Sequence, residues 1–360
     1  MLSDCSKSRD NNFNLLRFIA ATLVLYSHSY AIQIGDPAQE PLRSWLGTTW
    51  GTIAVDVFFI TSGFLIAGSF FNRKSVFAFA WARILRIFPG LLVANLISVF
   101  IVGLVFTQLA WPEYLQNIEI YKFLVKNTAL IIAKIQWVLP GVFLDNPLGQ
   151  AVNGSLWTLP HEVRMYALLS GTALLVLWVE LKLKIRILNA VFIGLVVIAL
   201  SLKAYNYFSD QVVLGKYFVR LFAFFFIGAL FYLYAHKVVL ANKFAAILFA
   251  LVIFSAANQS LFAIVYTLSL PYLIFYIAYV PAGKVRAYNK VGDYSYGMYV
   301  YAYPIQQALI AVYPEMSLLE MILYSFVLTL VMAYCSWHVI EKKALALKNY
   351  TPRALCSGHL

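Results

Sequence analysis

Long apolar runs dominate the chain, and short polar segments separate them. Ten of these runs approach the length of roughly 20 residues that an α-helix needs to cross a bilayer. We predict membrane-spanning helices near residues 12–33, 50–71, 82–107, 157–179, 187–203, 217–235, 239–257, 260–280, 292–312 and 317–339. The predicted fold class is therefore all-α: a polytopic integral membrane protein of about ten transmembrane helices.

One further apolar segment, 122–143, differs from these runs because polar residues and a turn interrupt it. The interruptions are Lys122, Lys126, Lys134 and the Pro140-Gly141 break. We interpret this segment as interfacial or re-entrant, within a long outer loop at 108–156. A long loop beside a membrane cleft could act as a lid or contact the acceptor. A passive cover over the bundle is an equally open alternative.

The distribution of Lys and Arg predicts the orientation in the membrane. With the N-terminus inside, nineteen of the 27 Lys and Arg residues lie on the cytoplasmic side and seven lie outside, with Arg164 inside a span. Both termini are therefore expected in the cytoplasm. An additional span at 122–143 would invert this sorting for everything that follows. We divide the chain into a membrane domain, 1–345, and a cytoplasmic tail, 346–360.

The composition excludes an ordinary soluble domain, because 62% of the residues are hydrophobic and only 12% are charged. The formal net charge of +12 raises the question of a nucleic-acid partner. The basic residues lie in short inner loops rather than on one soluble face, so we expect the lipid bilayer and no nucleic acid as partner. The cysteines show no metal-ligand spacing, and no metal site is expected.

The first apolar run carries two ionisable side chains, Arg17 and His28, which cost free energy to place inside a bilayer. Eleven residues separate them, which is about 20° more than three helical turns, so both leave the same helix face roughly 16 Å apart along the axis. One helix thus offers a fixed positive charge and a potential general base to one interior cleft at two depths. The alternative for His28 is a packed, hydrogen-bonding residue.

Other polar residues fall into two layers when depth is counted along the predicted spans. His28, Asp56 and Glu162 form an outer layer, roughly 7–10 Å below the outer surface. Arg17, Arg83 and Arg86 form an inner layer. The three-residue spacing places Arg83 and Arg86 on one helix face, which suits a phosphorylated ligand.

Each of these residues also has a structural explanation. Asp56 could be the buried partner of a neighbouring span, and Glu162 follows Pro160 in a first helical turn, where an acid is favoured. The arginine pair could be a positive-inside anchor, and Arg164 could pair with Glu162 or Asp56. The Thr61-Ser62-Gly63 run, together with Gly68, predicts close helix packing.

Five ordered motifs carry a resemblance to the acyltransferase 3 family, whose members include O-acetyltransferases of bacterial cell-surface sugars. The motifs are Arg17-x10-His28, the run from Val55 to Ile66, Arg83-x-x-Arg86-Ile-Phe-Pro89, Trp157-Thr-Leu-Pro-His-Glu162, and the Ser295-to-Pro304 run that contains Tyr296 and Tyr299. The chain departs from the pattern at Ala302, where many relatives have His, and at His161, where an apolar or aromatic residue is expected.

The resemblance implies an enzyme of the bacterial cytoplasmic (inner) membrane. Its implied reaction moves an acyl group, often acetyl, from cytoplasmic acyl-CoA to a carbohydrate hydroxyl at the outer face; a lipid-linked sugar is among the acceptors. No permanently bound cofactor is implied. The inner arginines would pair with the coenzyme phosphates, and His28 would act as general base or as a transient acyl carrier.

The resemblance also suggests supporting roles for other residues. Glu162 or Asp56 would hold the tautomer of His28, and both are candidate catalytic residues with it. Acceptor-side or supporting positions are Trp157, Arg164, Tyr296 and Tyr299. A transporter of an anionic or glycan substrate is the alternative function, because it also needs intramembrane charge. The acyl group, the acceptor and the oligomeric state are left open by the sequence.

Overall fold

The structure, a computed structural model, describes residues 1–6, 8, 10–73, 75–130, 134–209 and 211–350. Ten long helices form the bundle: α1 Phe13–Ile34, α2 Trp50–Phe71, α3 Val76–Ile97, α4 Leu159–Leu183, α5 Leu188–Phe208, α6 Lys216–Leu233, α7 Asn242–Ser255, α8 Gln259–Tyr279, α9 Ser295–Val312 and α10 Leu318–Ser336. Within the described ranges no β-strand forms, only two isolated antiparallel bridges in the outer segment. The all-α prediction is confirmed.

Eight helical segments of the described chain are long and apolar enough to cross a membrane. Two of the ten predicted spans fall short of that. Helix α7 has only 14 residues, and α9 carries Tyr and Gln side chains along its length. The protein is a multi-pass membrane protein, while the count of ten spans and the orientation stay predictions.

Two helices continue beyond a π-helical turn. Helix α3 passes through Ser98–Val102 into Gly103–Phe106, and α10 passes through Trp337–Glu341 into Lys342–Ala346. Such turns insert one extra residue into the helical ladder and re-aim the side chains that follow. The second turn brings the buried Glu341 toward the inside of the bundle.

The segment between α3 and α4, which the sequence predicts to be an outer loop, folds onto the bundle. It contains two short helices, Trp111–Gln116 and Ile118–Ala129, and a 3-10 turn at Gly154–Thr158. Its apolar side chains form a small buried cluster with the end of α3. The described part of 122–143 holds no helix of spanning length, and residues 131–133 of that segment lie outside the described ranges. The interfacial or re-entrant interpretation stays a prediction, and most of the predicted tail, from 351 on, is likewise not described.

Helices α2 and α6 approach so closely that their backbones touch through two glycines. A Cβ added to Gly63 would overlap the carbonyl oxygen of Phe225, and a Cβ added to Gly228 would overlap that of Ile60. Small residues at both crossing points let the two helices gain van der Waals contact that larger side chains would block. The prediction of close packing at Gly63 is confirmed.

Helix α9 is the central element, because nearly all of its first ten residues are buried. Polar contacts hold it to its neighbours. Gln306 donates to the carbonyl oxygen of Leu25 (2.8 Å) and to the hydroxyl of Ser29 (2.7 Å) on α1. Asn153, before α4, donates to the carbonyl oxygen of Val300 (2.9 Å). These contacts fix α9 between α1 and α4, where the site is built.

We predict that Gly63→Ala destabilises the protein, because the new methyl group forces α2 and α6 apart. Overpacking of this kind typically costs about 1–3 kcal/mol. The measurement is the melting temperature of the detergent-purified protein. Gly194→Ala is the matched control, since a Cβ there meets no atom within 4 Å. Equal melting temperatures for the two variants would show that the α2–α6 approach is looser than described.

Candidate active site

A cavity of about 580 Å³ lies inside the bundle, between α1, α2, α3, α4 and the start of α9. Its polar lining side chains are Asn14, Arg17, Ser62, Arg83, Arg86, Thr158, Glu162, Tyr166, Asp293, Ser295, Tyr296, Tyr299 and Lys348. The volume is typical of a small-molecule site. All three arginines of the predicted inner layer line this cavity, and Arg83 and Arg86 face it from the same side of α3, as their spacing predicted.

Arg86 is held by two carboxylates. Its Nη2 atom lies 2.6 Å from Asp293 Oδ2, and its Nη1 atom lies 3.5 Å from Glu341 Oε2. Arg17 joins the same cluster, with Nη1 3.8 Å from Asp293 Oδ2. Only 2% of the Glu341 side chain is exposed, so its charge depends on this partner. The cluster connects α1, α3, α9 and the end of α10.

Arg83 is different, because its guanidinium has no acidic partner. No ion pair or side-chain hydrogen bond joins it to another residue in the described part of the chain, and its Nε atom is buried without a hydrogen-bond acceptor. It lies one helical turn before Arg86 on α3 and faces the same cavity. An unpaired cation at low dielectric is a strong attractor for an anionic ligand.

Glu162 lies in this cavity rather than beside His28. Helix α4 begins at Leu159 with Pro160 and Glu162 in its first turn, and the Glu162 side chain lines the cavity. Its carboxylate accepts a hydrogen bond from the Tyr166 hydroxyl. That hydroxyl also lies 3.3 Å from the hydroxyl of Ser62 on α2. Glu162 is therefore the predicted carboxylate that shares a space with the arginines.

Two tyrosines of α9 form another wall. The Tyr299 hydroxyl lies 2.6 Å from that of Thr158 and donates to the carbonyl oxygen of Ser155 (2.8 Å). The Tyr296 hydroxyl donates to the carbonyl oxygen of Ile87 (2.8 Å), and its ring lies 5.7 Å from the Arg86 guanidinium. Both predicted tyrosines therefore line the cavity, with their hydroxyls committed to neighbouring helices and turns.

His28 does not line the cavity that contains Arg17, Arg83 and Arg86, which we call the arginine cavity. Its ring contacts the edge of the Tyr303 ring, with centroids 5.2 Å apart. Tyr303 lies one turn beyond Tyr299 on α9, and its own ring packs on Gly154. The Nδ1 atom of His28 is buried and has no hydrogen-bond partner in the described part of the chain. The imidazole thus contacts a tyrosine one turn along α9 from the cavity wall, and its Nδ1 atom forms no hydrogen bond with the described residues.

Asp56 lies on another face of α2, where it forms one ion pair and one hydrogen bond. Its Oδ1 atom is 3.2 Å from Arg220 Nε, and its Oδ2 atom accepts a hydrogen bond from Tyr266 at 3.0 Å. Neither Asp56 nor Glu162 is hydrogen-bonded to His28. The structure therefore does not gather the three predicted catalytic residues in one place, because each packs against different helices.

The remaining predicted supporting residues lie outside the cavity wall. Trp157 packs against the rings of His161 and Tyr217, with centroids 5.9 and 5.2 Å apart. Arg164 is exposed and pairs with neither Glu162 nor Asp56. Among the residues that the structure describes, no group of three or more His, Cys, Asp or Glu side chains is arranged to hold a metal ion.

The sequence analysis missed the acidic partners of the arginines. Asp293 stands two residues before the Ser295 that begins α9, and Glu341 lies in the π-helical turn after α10. The one available signal was that both are acids at the ends of apolar runs, on the same predicted side as the arginines. The pairing of Arg86 with Asp293 joins residues 207 positions apart, which no local pattern reveals.

Comparisons with known proteins give the family. The acyltransferase 3 family model, described as an acyltransferase domain, matches residues 10–340. The chain is 30% identical over 351 residues to a protein named O-acetyl transferase from Shigella phage Sf6, covering 94% of this chain and 96% of that protein. No solved structure matches.

A second relative matches over about half its length. It is named nodulation protein 10, from Rhizobium leguminosarum bv. viciae, and is 31% identical over 175 residues, which are 48% of this chain and 46% of that protein. The family match extends over both walls of the arginine cavity, from α1 to the end of α10. The chain therefore belongs to the acyltransferase 3 family and is a multi-pass membrane enzyme that transfers acyl groups.

Proposed function

We propose that this enzyme transfers an acetyl group from acetyl-CoA to a carbohydrate hydroxyl at the outer face of the bacterial inner membrane. The observation that carries the proposal is the convergence of Arg17, Arg83 and Arg86 on one cavity inside the bundle. The O-acetyl transferase of Shigella phage Sf6, similar over nearly the whole chain, supports acetyl as the acyl group.

The donor would bind with its phosphates at the arginines. Asp293 and Glu341 already neutralise much of the charge of Arg86, whereas Arg83 forms no ion pair with any described residue. Arg83 is thus the cation most available for a phosphate. Arg17 is second, because its one ion pair within the described residues is the longer contact at 3.8 Å. The apolar walls from α2 suit the uncharged arm of the coenzyme.

The chemical step is an ordinary acyl transfer. The oxygen of the acceptor hydroxyl attacks the carbonyl carbon of the thioester, a C–O bond forms, and the C–S bond breaks. The hydroxyl proton passes to the imidazole of His28, and the coenzyme leaves as a thiolate that takes up a proton. A positioned base of this kind typically contributes about 10²–10⁴-fold to the rate.

One observation supports His28 as that base. Its Nδ1 atom is buried without a partner, so it has a lone pair or proton to exchange. His28 lies on α1 about 16 Å from Arg17 along the helix axis, so a donor held at the arginines would have to extend along α1 to reach it. Tyr299 and Tyr303 lie between the cavity and the imidazole, so the acyl group would have to pass these rings.

We predict that Arg83→Ala raises the KM for acetyl-CoA at least about tenfold, because a charge-assisted contact to phosphate is worth about 1.5–3 kcal/mol. Its melting temperature should change little, since Arg83 has no acidic partner to leave behind. Arg186→Ala, at an exposed loop position, is the matched control. The measurement is the rate of acetyl transfer against donor concentration in membrane vesicles.

Arg86→Ala, unlike Arg83→Ala, should lower the melting temperature. Removing this cation leaves the buried carboxylate of Glu341 with no ion pair among the described residues, and Asp293 keeps only the longer contact to Arg17. Breaking a buried ion pair in this way typically costs about 3–5 kcal/mol of stability. A normal KM in Arg83→Ala would contradict the assignment of this cavity to the donor.

We also predict that His28→Ala lowers acetyl transfer by at least about 10²-fold while the protein still inserts and melts normally. His236→Ala, at an exposed position, is the histidine control. Acetylated glycan is measured by mass spectrometry in cells that express equal amounts of each protein. Transfer at the wild-type rate in His28→Ala would refute the general-base role.

A further inference from the structure

A second, smaller cavity lies on the other side of α2. It has a volume of about 140 Å³ and is bounded by α2, α5, α6 and α8. Its charged lining residues are Asp56, Lys203, Lys216 and Arg220. The arginine cavity faces a different stripe of α2, on which Val55, Phe59 and Ser62 lie.

The described charges of this cavity do not balance. Asp56 is committed to Arg220 through one oxygen and to the Tyr266 hydroxyl through the other. Lys203 donates to the neutral hydroxyl of Thr267 at 2.6 Å. In the described ranges neither Lys203 nor Lys216 forms an ion pair with a carboxylate, so three cations face the cavity against the single carboxylate of Asp56.

This imbalance points to an anionic ligand. Charged side chains inside a membrane-spanning bundle are costly unless they pair or face a ligand. Lys203 is half-buried, with its ammonium 5.7 Å from the centre of the Phe224 ring. A cavity of 140 Å³ admits a group of the size of a phosphate but not a whole nucleotide.

The surroundings of the cavity suggest that the phosphate belongs to a lipid. Tyr207 and Lys216 line the cavity and are both exposed, so it reaches the bundle surface between α5 and α6. Large apolar side chains are exposed beside them: Phe208 at 63%, Leu214 at 67% and Tyr217 at 61%. A cationic cavity next to an exposed apolar surface fits an amphiphile whose headgroup carries the anion.

We propose that the cavity formed by Lys203, Lys216 and Arg220 binds the phosphate group of a lipid, whose chain lies on the apolar surface at the α5–α6 end. Asp56 holds Arg220 in position through its ion pair, and Lys203 and Lys216 supply the uncompensated charge. Two sources carry this chemistry: a bilayer phospholipid and a polyprenyl phosphate of the kind that carries sugars. The proposal does not rest on the acyl-transfer reaction, because binding needs no donor.

The test is binding to the full-length protein in a nonionic detergent, followed by melting temperature and native mass spectrometry. The probes are phosphatidylglycerol, a polyprenyl phosphate, inorganic phosphate and diacylglycerol, which has chains but no phosphate. We expect phosphatidylglycerol, the polyprenyl phosphate or both to raise the melting temperature and to remain bound in the mass spectrum. The probe with the larger effect identifies the kind of lipid that supplies the phosphate. Diacylglycerol should have no effect.

Variants then locate the site. The double variant Lys203→Gln, Lys216→Gln should bind the effective probe at least about tenfold more weakly. Lys203→Arg should retain binding, because the charge is kept. The charge-matched control is Lys182→Gln, Lys237→Gln, which removes two exposed cations elsewhere.

Three results would overturn the proposal. These are no binding of either lipid phosphate to the wild-type protein, equal binding in the double variant and its control, and an equal effect of inorganic phosphate alone. The wild-type probe comparison stays decisive even if the double variant fails to fold.

Discussion

Arginine side chains inside a membrane bundle need compensation, and most of the interior of this protein is arranged around that need. Removing a guanidinium from water costs several kcal/mol unless carboxylates and hydrogen bonds replace the lost hydration. Asp293 lies between Arg86 and Arg17, and Glu341 lies on the other side of Arg86. Because these residues come from both ends of the sequence, the cluster also fixes how α1, α3, α9 and α10 meet. The cavity is the space that this arrangement leaves open.

The unequal pairing of the arginines is what makes that space chemically useful. A cavity in which every cation had a protein partner would be a structural feature and would bind anions weakly. Among the described residues Arg86 forms two ion pairs and Arg83 forms none, so one residue supports the wall and the other faces the ligand. The central helix α9 also supports the cavity wall. The hydroxyls of Tyr296 and Tyr299 donate to backbone carbonyl oxygens, while their rings close the cavity.

Much of this could be predicted from the sequence. Apolar run length predicted ten spans, and eight helical segments of the described chain are long and apolar enough to cross a membrane. The three-residue spacing of Arg83 and Arg86 correctly predicted that both face one space. Pairing between distant segments could not be predicted, because the partner of Arg86 lies 207 positions away. Counting residues from helix ends also grouped Glu162 with His28, whereas Glu162 lines the cavity that contains the three arginines. The polar tyrosines of α9 weaken its apolar pattern because that helix is surrounded by protein rather than lipid.

The most direct test of the proposed donor site is a cryo-electron microscopy structure with coenzyme A bound. We predict that the diphosphate lies beside Arg83 and Arg17, with the thiol end of the coenzyme directed past Tyr299 toward His28. Coenzyme bound outside the bundle, or a lipid chain filling the arginine cavity while coenzyme binds elsewhere, would contradict it.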